Sequence, residues 1–134
     1  MVSDTIKQIG ESSLGQIISY TNRIDLSGFI LQKPRINEEK KEQGTGGCSF
    51  ILHQIKTDEN GKTFDKTFMV YCFGLKSTNR LMEELTSACF VFITGFLYWQ
   101  PIRKSYGIYL ADFQITNYLD YELDKPYEKG DKIW

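Results

Sequence analysis

The sequence has 134 residues and a mass of 15.6 kDa, the size of one ordinary domain, and its 41% hydrophobic and 25% charged residues exclude a disordered chain. Sixteen Lys+Arg against 17 Asp+Glu leave a net charge of −1, without the basic excess that a nucleic-acid binder usually shows. The unusual quantity is the 14% aromatic content, nine Phe, eight Tyr and two Trp, more rings than one core obviously needs.

Residues 1–22 form a polar lead with Ile6, Ile9, Leu14, Ile17 and Ile18 at roughly helical spacing, interrupted by Gly10 and Gly15. This predicts an N-terminal arm or a short amphipathic helix. Residues 23–31 alternate as a strand with a glycine kink at Gly28. Residues 34–47 read as a loop, charged over 37–42 and glycine-rich at its end. Residues 48–57 are a second strand, with Phe50 and Leu52 on one face and Ile51, His53 and Ile55 on the other. The run Asp58-Glu59-Asn60-Gly61-Lys62 is a turn signal, so residues 63–73 return as a third strand in a long hairpin. Thr78 is placed to cap a helix running to about Ala88, with Leu81, Met82 and Leu85 as its buried stripe. Residues 90–99 and 106–116 are the fourth and fifth strands, joined by a turn holding Pro101, Arg103 and Lys104. Residues 117–134 form a short, acidic, irregular C-terminal tail.

Strand, strand, strand, helix, strand, strand is the plan of an all-β fold with one helix. It predicts an OB-fold over residues 23–116, a five-stranded Greek-key barrel with a helix between strands 3 and 4. Gly28 and Gly95 inside strands suit a small, tightly curved barrel. The longest apolar stretch, residues 88–99, contains Thr94 and Gly95 and falls short of the roughly 20 residues a membrane span needs. No signal pattern opens the chain, so a cytoplasmic protein without membrane contact is expected.

Candidate chemistry is sparse. Cys48, Cys72 and Cys89 are widely spaced without a Cys-x-x-Cys pair and read as reduced core thiols. One histidine, His53, reads as a strand-surface residue and argues against a metal centre. Gly44-Thr45-Gly46-Gly47 lacks the lysine and the strand-to-helix setting of a phosphate loop. No carboxylate pair or nucleophile–base pair emerges, so neither an enzyme nor a cofactor is expected.

The aromatic pattern is more informative. Alternation puts Phe68, Val70 and Cys72 on one face of the third strand and Met69, Tyr71 and Phe73 on the other. On the fourth strand, Phe92, Thr94, Phe96 and Tyr98 share the face opposite Val91, Ile93 and Leu97. Aliphatics and cysteine fill the barrel, leaving Tyr71, Phe73, Phe92, Phe96 and Tyr98, with Trp99 at the turn, as candidate stacking rings. Phe29, Phe90 and Phe113 are assigned to the core. Lys56, Lys62, Lys66, Lys76, Arg80, Arg103 and Lys104 are candidate phosphate contacts, since rings stack bases while cations hold the backbone. Such a face can equally pack against a partner subunit, the N-terminal arm or the helix. Residues 1–110 carry 13 Lys+Arg against 11 Asp+Glu, whereas residues 111–134 carry 3 against 6. The near-neutral total therefore hides a mildly basic body and an acidic end, and stacking should outweigh counterion release.

Five segments, read in order between about residues 22 and 115, resemble the bacterial single-stranded DNA-binding protein family in a divergent form such as phages and mobile elements carry. They are Ile24-Asp25-Leu26-Ser27-Gly28-Phe29-Ile30, Gly46-Gly47-Cys48-Ser49-Phe50-Ile51-Leu52, Phe68-Met69-Val70-Tyr71-Cys72-Phe73-Gly74, Val91-Phe92-Ile93-Thr94-Gly95-Phe96-Leu97, and Tyr106 with Leu110-Ala111-Asp112. The resemblance implies an OB-fold and sequence-tolerant single-stranded DNA binding in replication or recombination. It implies no catalysis, and a homo-oligomer, dimer or tetramer. The family's stacking ring before the helix falls on Phe73. Its hairpin ring has no counterpart near Thr57, and its ring near the fourth-strand turn is shifted to Tyr98 or Trp99. The family's acidic tip, which recruits replication and repair proteins, has a partial counterpart in a tail ending Ile133-Trp134. A tail folded back on the barrel is the alternative. The rival to DNA binding is a protein–protein interaction module using the same aromatic face.

Overall fold

Alternation of apolar and polar residues between positions 24 and 118 builds a sheet that curls until it closes. The computed structural model describes residues 2–17, 19–37, 46–101 and 103–128. Its strands are β1 (Ile24–Ile30), β2 (Arg35–Ile36), β3 (Gly47–Thr57), β4 (Thr63–Phe73), β5 (Cys89–Gln100) and β6 (Ser105–Tyr118). Helices α1 (Val2–Glu11) and α2 (Ser13–Ile17) precede them, and α3 (Leu75–Glu84) joins β4 to β5. The sheet order is β1-β5-β6-β4-β3-β2, and an additional β1–β3 pairing closes the barrel. Pairings are antiparallel except β4–β6, which is parallel at Val70↔Ile108 and Tyr71↔Tyr109. This is the expected OB-fold, with α3 between the third and fourth barrel strands. Strand β2 is an addition inside the stretch expected as loop, pairing Arg35↔Ser49 and Ile36↔Cys48 on β3. The charged run over 38–42 lies outside the described residues.

Ile30, Phe50, Leu52, Val70, Cys89 and Val91 fill the barrel with almost no exposure, and Leu81 of α3 with Leu85 at its C-cap completes the core. Cys48 and Cys72 face each other across β3 and β4, both buried, and burial pushes the Cys89 thiol up to about 11. The helix starts earlier than Thr78. Gly74 adopts φ 86°, so β4 turns directly into α3, and Thr78 lies buried within the first turns, its amide donating to the Gly74 carbonyl at 3.1 Å. The β3–β4 turn forms as expected. Gly61 has φ 81°, and the Asp58 carboxylate accepts the Asn60 and Lys62 amides, each at 2.9 Å. His53 is buried rather than at the surface, its ring held between Asp65 at 2.8 Å and Gln32 at 2.7 Å.

The C-terminal segment folds back. The Leu119 amide donates to the Ala88 carbonyl (2.7 Å) and the Ala88 amide to the Tyr121 carbonyl (2.9 Å). The Asp124 amide then donates to Leu31, and Lys33 donates to Asp124, both at 2.9 Å. Leu123 packs against the core. The Ile133-Trp134 tip lies outside the described residues. At the other end, α1 and α2 bury no residue, while the Asn22 side chain clamps Leu97 by donating to its carbonyl (2.9 Å) and accepting its amide (3.0 Å). Among the described residues no helix is long and apolar enough to cross a membrane, and no three His, Cys, Asp or Glu side chains group as metal ligands.

Barrel closure brings backbones together where glycine stands. A Cβ on Gly28 would sit 2.6 Å from the His53 carbonyl oxygen, and one on Gly95 would sit 2.3 Å from that of Tyr109. Backbone atoms cannot yield as a side-chain end can. Gly28→Ala and Gly95→Ala are therefore each expected to destabilise the fold by about 1–3 kcal/mol, read as a fall in the urea midpoint.

Candidate nucleic-acid interface

Register partners on neighbouring strands share a face. Tyr71 on β4 pairs with Tyr109 on β6, and Tyr109 pairs with Phe96 on β5. Phe73 lies two residues beyond Tyr71, and Tyr98 two beyond Phe96, so both join the same outer face. Five rings from three strands thus converge, and Tyr109 is their hub. Phe73 stacks flat on it, with centroids 4.2 Å apart and planes at 9°. Phe96 stacks at 5.8 Å, Tyr98 meets it edge-on at 4.8 Å, and Tyr71 tilts against it at 5.6 Å.

Exposure divides support from surface. Tyr109 is 5% exposed, its hydroxyl accepting from the Gln100 amide at 3.4 Å. Phe73 and Tyr98 are 60% and 49% exposed. A ring held flat on a buried ring, with its other face in water, is already ordered for a further planar group. Gly107, the register partner of Tyr98, leaves room here: a Cβ there would lie 3.3 Å from the Tyr71 ring.

The remaining candidate rings lie apart from this hub. Phe92 packs edge-on against Phe90 at 5.6 Å, and Phe90 against Phe29 at 5.0 Å, a separate cluster beside β1. Trp99 follows Tyr98 and so points to the opposite face, where it meets Tyr106 at 5.1 Å.

The cations divide in the same way. Arg103 hydrogen-bonds the Tyr71 hydroxyl and lies over that ring at 5.5 Å, which brings it to the hub. Lys104 shares its turn with φ 51°, and exposed Lys76 stands in the first turn of α3, three residues after Phe73. Lys56 and Lys66 pair with Phe64 and Gln54, on the hairpin face opposite Tyr71 and Phe73. There Lys62 lies over Phe64 at 5.1 Å and Lys66 over Phe68 at 5.2 Å. Arg80 is engaged within the protein, bonding Glu84 and Asp112 at 3.1 Å each and covering Phe113 at 4.5 Å.

Tyr109, Phe64 and Tyr106 join these clusters without having been among the stacking candidates read from the sequence. Strict alternation back from Phe113 would turn Tyr109 inward with it. The pairing instead steps from Thr94↔Asp112 to Gly95↔Leu110, so Ala111 bulges and the parity of β6 reverses. Phe64 and Tyr106 carried a usable signal, each being an aromatic beside the lysines or tryptophan of a hairpin end.

The closed barrel is an OB-fold whose outer face carries the ring platform. It is similar to the mitochondrial single-stranded DNA-binding protein Rim1 of S. cerevisiae, with TM-score 0.58 and 10% identity over 76% of this chain and 100% of that one. It is likewise similar to the small single-stranded DNA-binding protein of Streptomyces coelicolor, with TM-score 0.52 and 18% identity over 73% and 96%. PriB from Ralstonia solanacearum aligns with TM-score 0.52 and 13% identity over 73% and 100%. No family model matches the sequence, and no curated protein matches it.

Two outcomes follow from this geometry. Removing the buried hub with Tyr109→Ala is expected to cost about 3–5 kcal/mol in urea unfolding, whereas Phe73→Ala removes an exposed ring and costs far less. The hydrogen bond from Arg80 holds the Asp112 carboxyl below the usual carboxylate range. That contact stabilises the fold above the ordinary carboxylate pKa and is lost as pH falls through the lowered one. The small stability gap between the parent and Asp112→Asn should therefore close on acidification, and narrow with added salt.

Proposed function

We propose that this protein binds single-stranded DNA without strong sequence preference, stacking bases on Phe73 and Tyr98 and holding phosphates with Arg103, Lys104 and Lys76. One observation carries the reading: Phe73 lies flat on buried Tyr109 with its outer face open. Every base has a π-face, so such a platform tolerates sequence. Lys56, Lys62, Lys66 and Phe64 on the opposite hairpin face, with Trp99 and Tyr106, serve as outlying contacts for a longer strand. Phe92 has a flanking role, and Arg80 secures α3 more than it meets phosphate. Replication and recombination, which expose single strands, are the settings in which this activity is used. No catalytic step is part of the proposal.

A second reading, a protein–protein interaction module, is favoured by one specific feature. Val2, Ile6, Ile9, Leu14 and Ile17 of α1 and α2 are all exposed, which supports self-association as a dimer or tetramer. The feature lies on the N-terminal helices and the stacking reading uses Phe73 and Tyr98 of β4 and β5, so the two readings draw on different residues.

Titration with oligo-dT, followed by protein fluorescence and mobility shift, tests the first reading. Phe73→Ala is expected to weaken binding by about fivefold or more with little change in stability. Arg103→Gln is expected to reduce the dependence of log affinity on log salt by about 0.7. Absence of binding at low salt, or preference for duplex, would overturn the proposal.

A further inference from the structure

The outer face carries a lateral row longer than its rings. Arg35 on β2 pairs with Ser49 on β3, Ser49 with Tyr71 on β4, Tyr71 with Tyr109 on β6, and Tyr109 with Phe96 on β5. Neighbouring strands lie about 4.8 Å apart, so these side chains form one continuous line across the sheet. Ser49 is the small residue that interrupts it. The gap is filled from the C-terminal segment: the Tyr127 hydroxyl and Ser49 Oγ share a hydrogen bond, and the Arg35 guanidinium lies over the Tyr127 ring, 5.6 Å from its centroid.

The placement of Tyr127 is set from two sides. Three residues earlier, the Asp124 backbone is pinned to Leu31 and Lys33. The anchoring apolar contact belongs to Leu123, which packs against the core, whereas Tyr127 remains half-buried on the outer face. A ring oriented by its hydroxyl and partnered by a guanidinium has the two components that hold a nucleotide, a π-face and a cation.

We infer that Tyr127 and Arg35 form a further nucleotide contact, by which the C-terminal segment extends the stacking row of the barrel across β3. This rests on the single-stranded DNA reading above. A strand crossing the sheet from β5 then meets Phe96, Tyr71 and finally Tyr127, with Arg35 at the phosphate. The acidic end of the chain is thereby part of the binding face, through Tyr127 beside Arg35.

The test uses the full chain and an oligo-dT long enough to cross the sheet. Tyr127→Ala should weaken binding by about fivefold or more while the urea midpoint stays near that of the parent. Tyr127→Phe, which keeps the ring, should retain most of the affinity. Arg35→Gln should lower the salt slope by about 0.7. Tyr127→Trp places a reporter at the site, and quenching of its added fluorescence by oligo-dT is expected even if Tyr127→Ala proves unstable. Equal or tighter binding by Tyr127→Ala, or an unquenched indole in Tyr127→Trp, overturns the inference while leaving the barrel's binding intact. A parent that binds no oligo-dT overturns the single-stranded DNA reading itself, and this extension with it.

Discussion

The closure of a small barrel is the constraint on which the other features depend. Closing so few strands requires backbones to approach until a Cβ no longer fits. A Cβ on Gly47 would lie 2.1 Å from the Cys72 carbonyl oxygen, with similar contacts at Gly28 and Gly95. An interior closed this tightly is filled mainly by aliphatic and cysteine side chains, and Phe50 and Phe113 are the core rings. Phe68 packs against that core, and Tyr71, Phe73, Phe96, Tyr98 and Tyr109 are left to the outer side of the sheet. The aromatic surplus in the composition is therefore partly a consequence of barrel size, and the ring platform is built where the interior cannot hold it.

Order in that platform comes from packing more than from charge. Tyr109 is buried although it belongs to the outer face, because four other rings lie against it. Its burial fixes Phe73 and Tyr98 in orientation, which on the binding reading reduces the ordering cost of binding. The cations are less concentrated. Arg103 stands at the hub, Lys56 and Lys66 occupy another face, and two carboxylates engage Arg80. On the binding reading, a chain with net charge −1 and its cations so divided gains little from counterion release, and stacking carries the larger share.

The barrel was legible in the sequence because its signals are local. Period-2 alternation marks each long strand, and Asp58 to Lys62 carries its own turn chemistry in Gly61 and the Asp58 carboxylate. Phe73, Phe96, Tyr98 and Tyr71 could be grouped by alternation alone. Tyr109 could not, because the bulge at Ala111 reverses parity at a point that no residue type announces. The start of α3 was displaced for a related reason: threonine suggests a cap, but positive φ at Gly74 lets the helix begin without one. The return of Tyr127 to Ser49 depends on long-range contact, which pattern does not encode.

The parallel junction of β4 and β6 has a further consequence. It is only two residue pairs long, Val70↔Ile108 and Tyr71↔Tyr109, and the second pair belongs to the ring platform. This short parallel seam of the barrel and the centre of its outer face are therefore the same place. Any transient parting of β4 from β6 separates Tyr71 from Tyr109 and dismantles the platform with the barrel. On the binding reading, a strand lying across both residues acts as a clasp, and its binding free energy adds to that which keeps this seam shut.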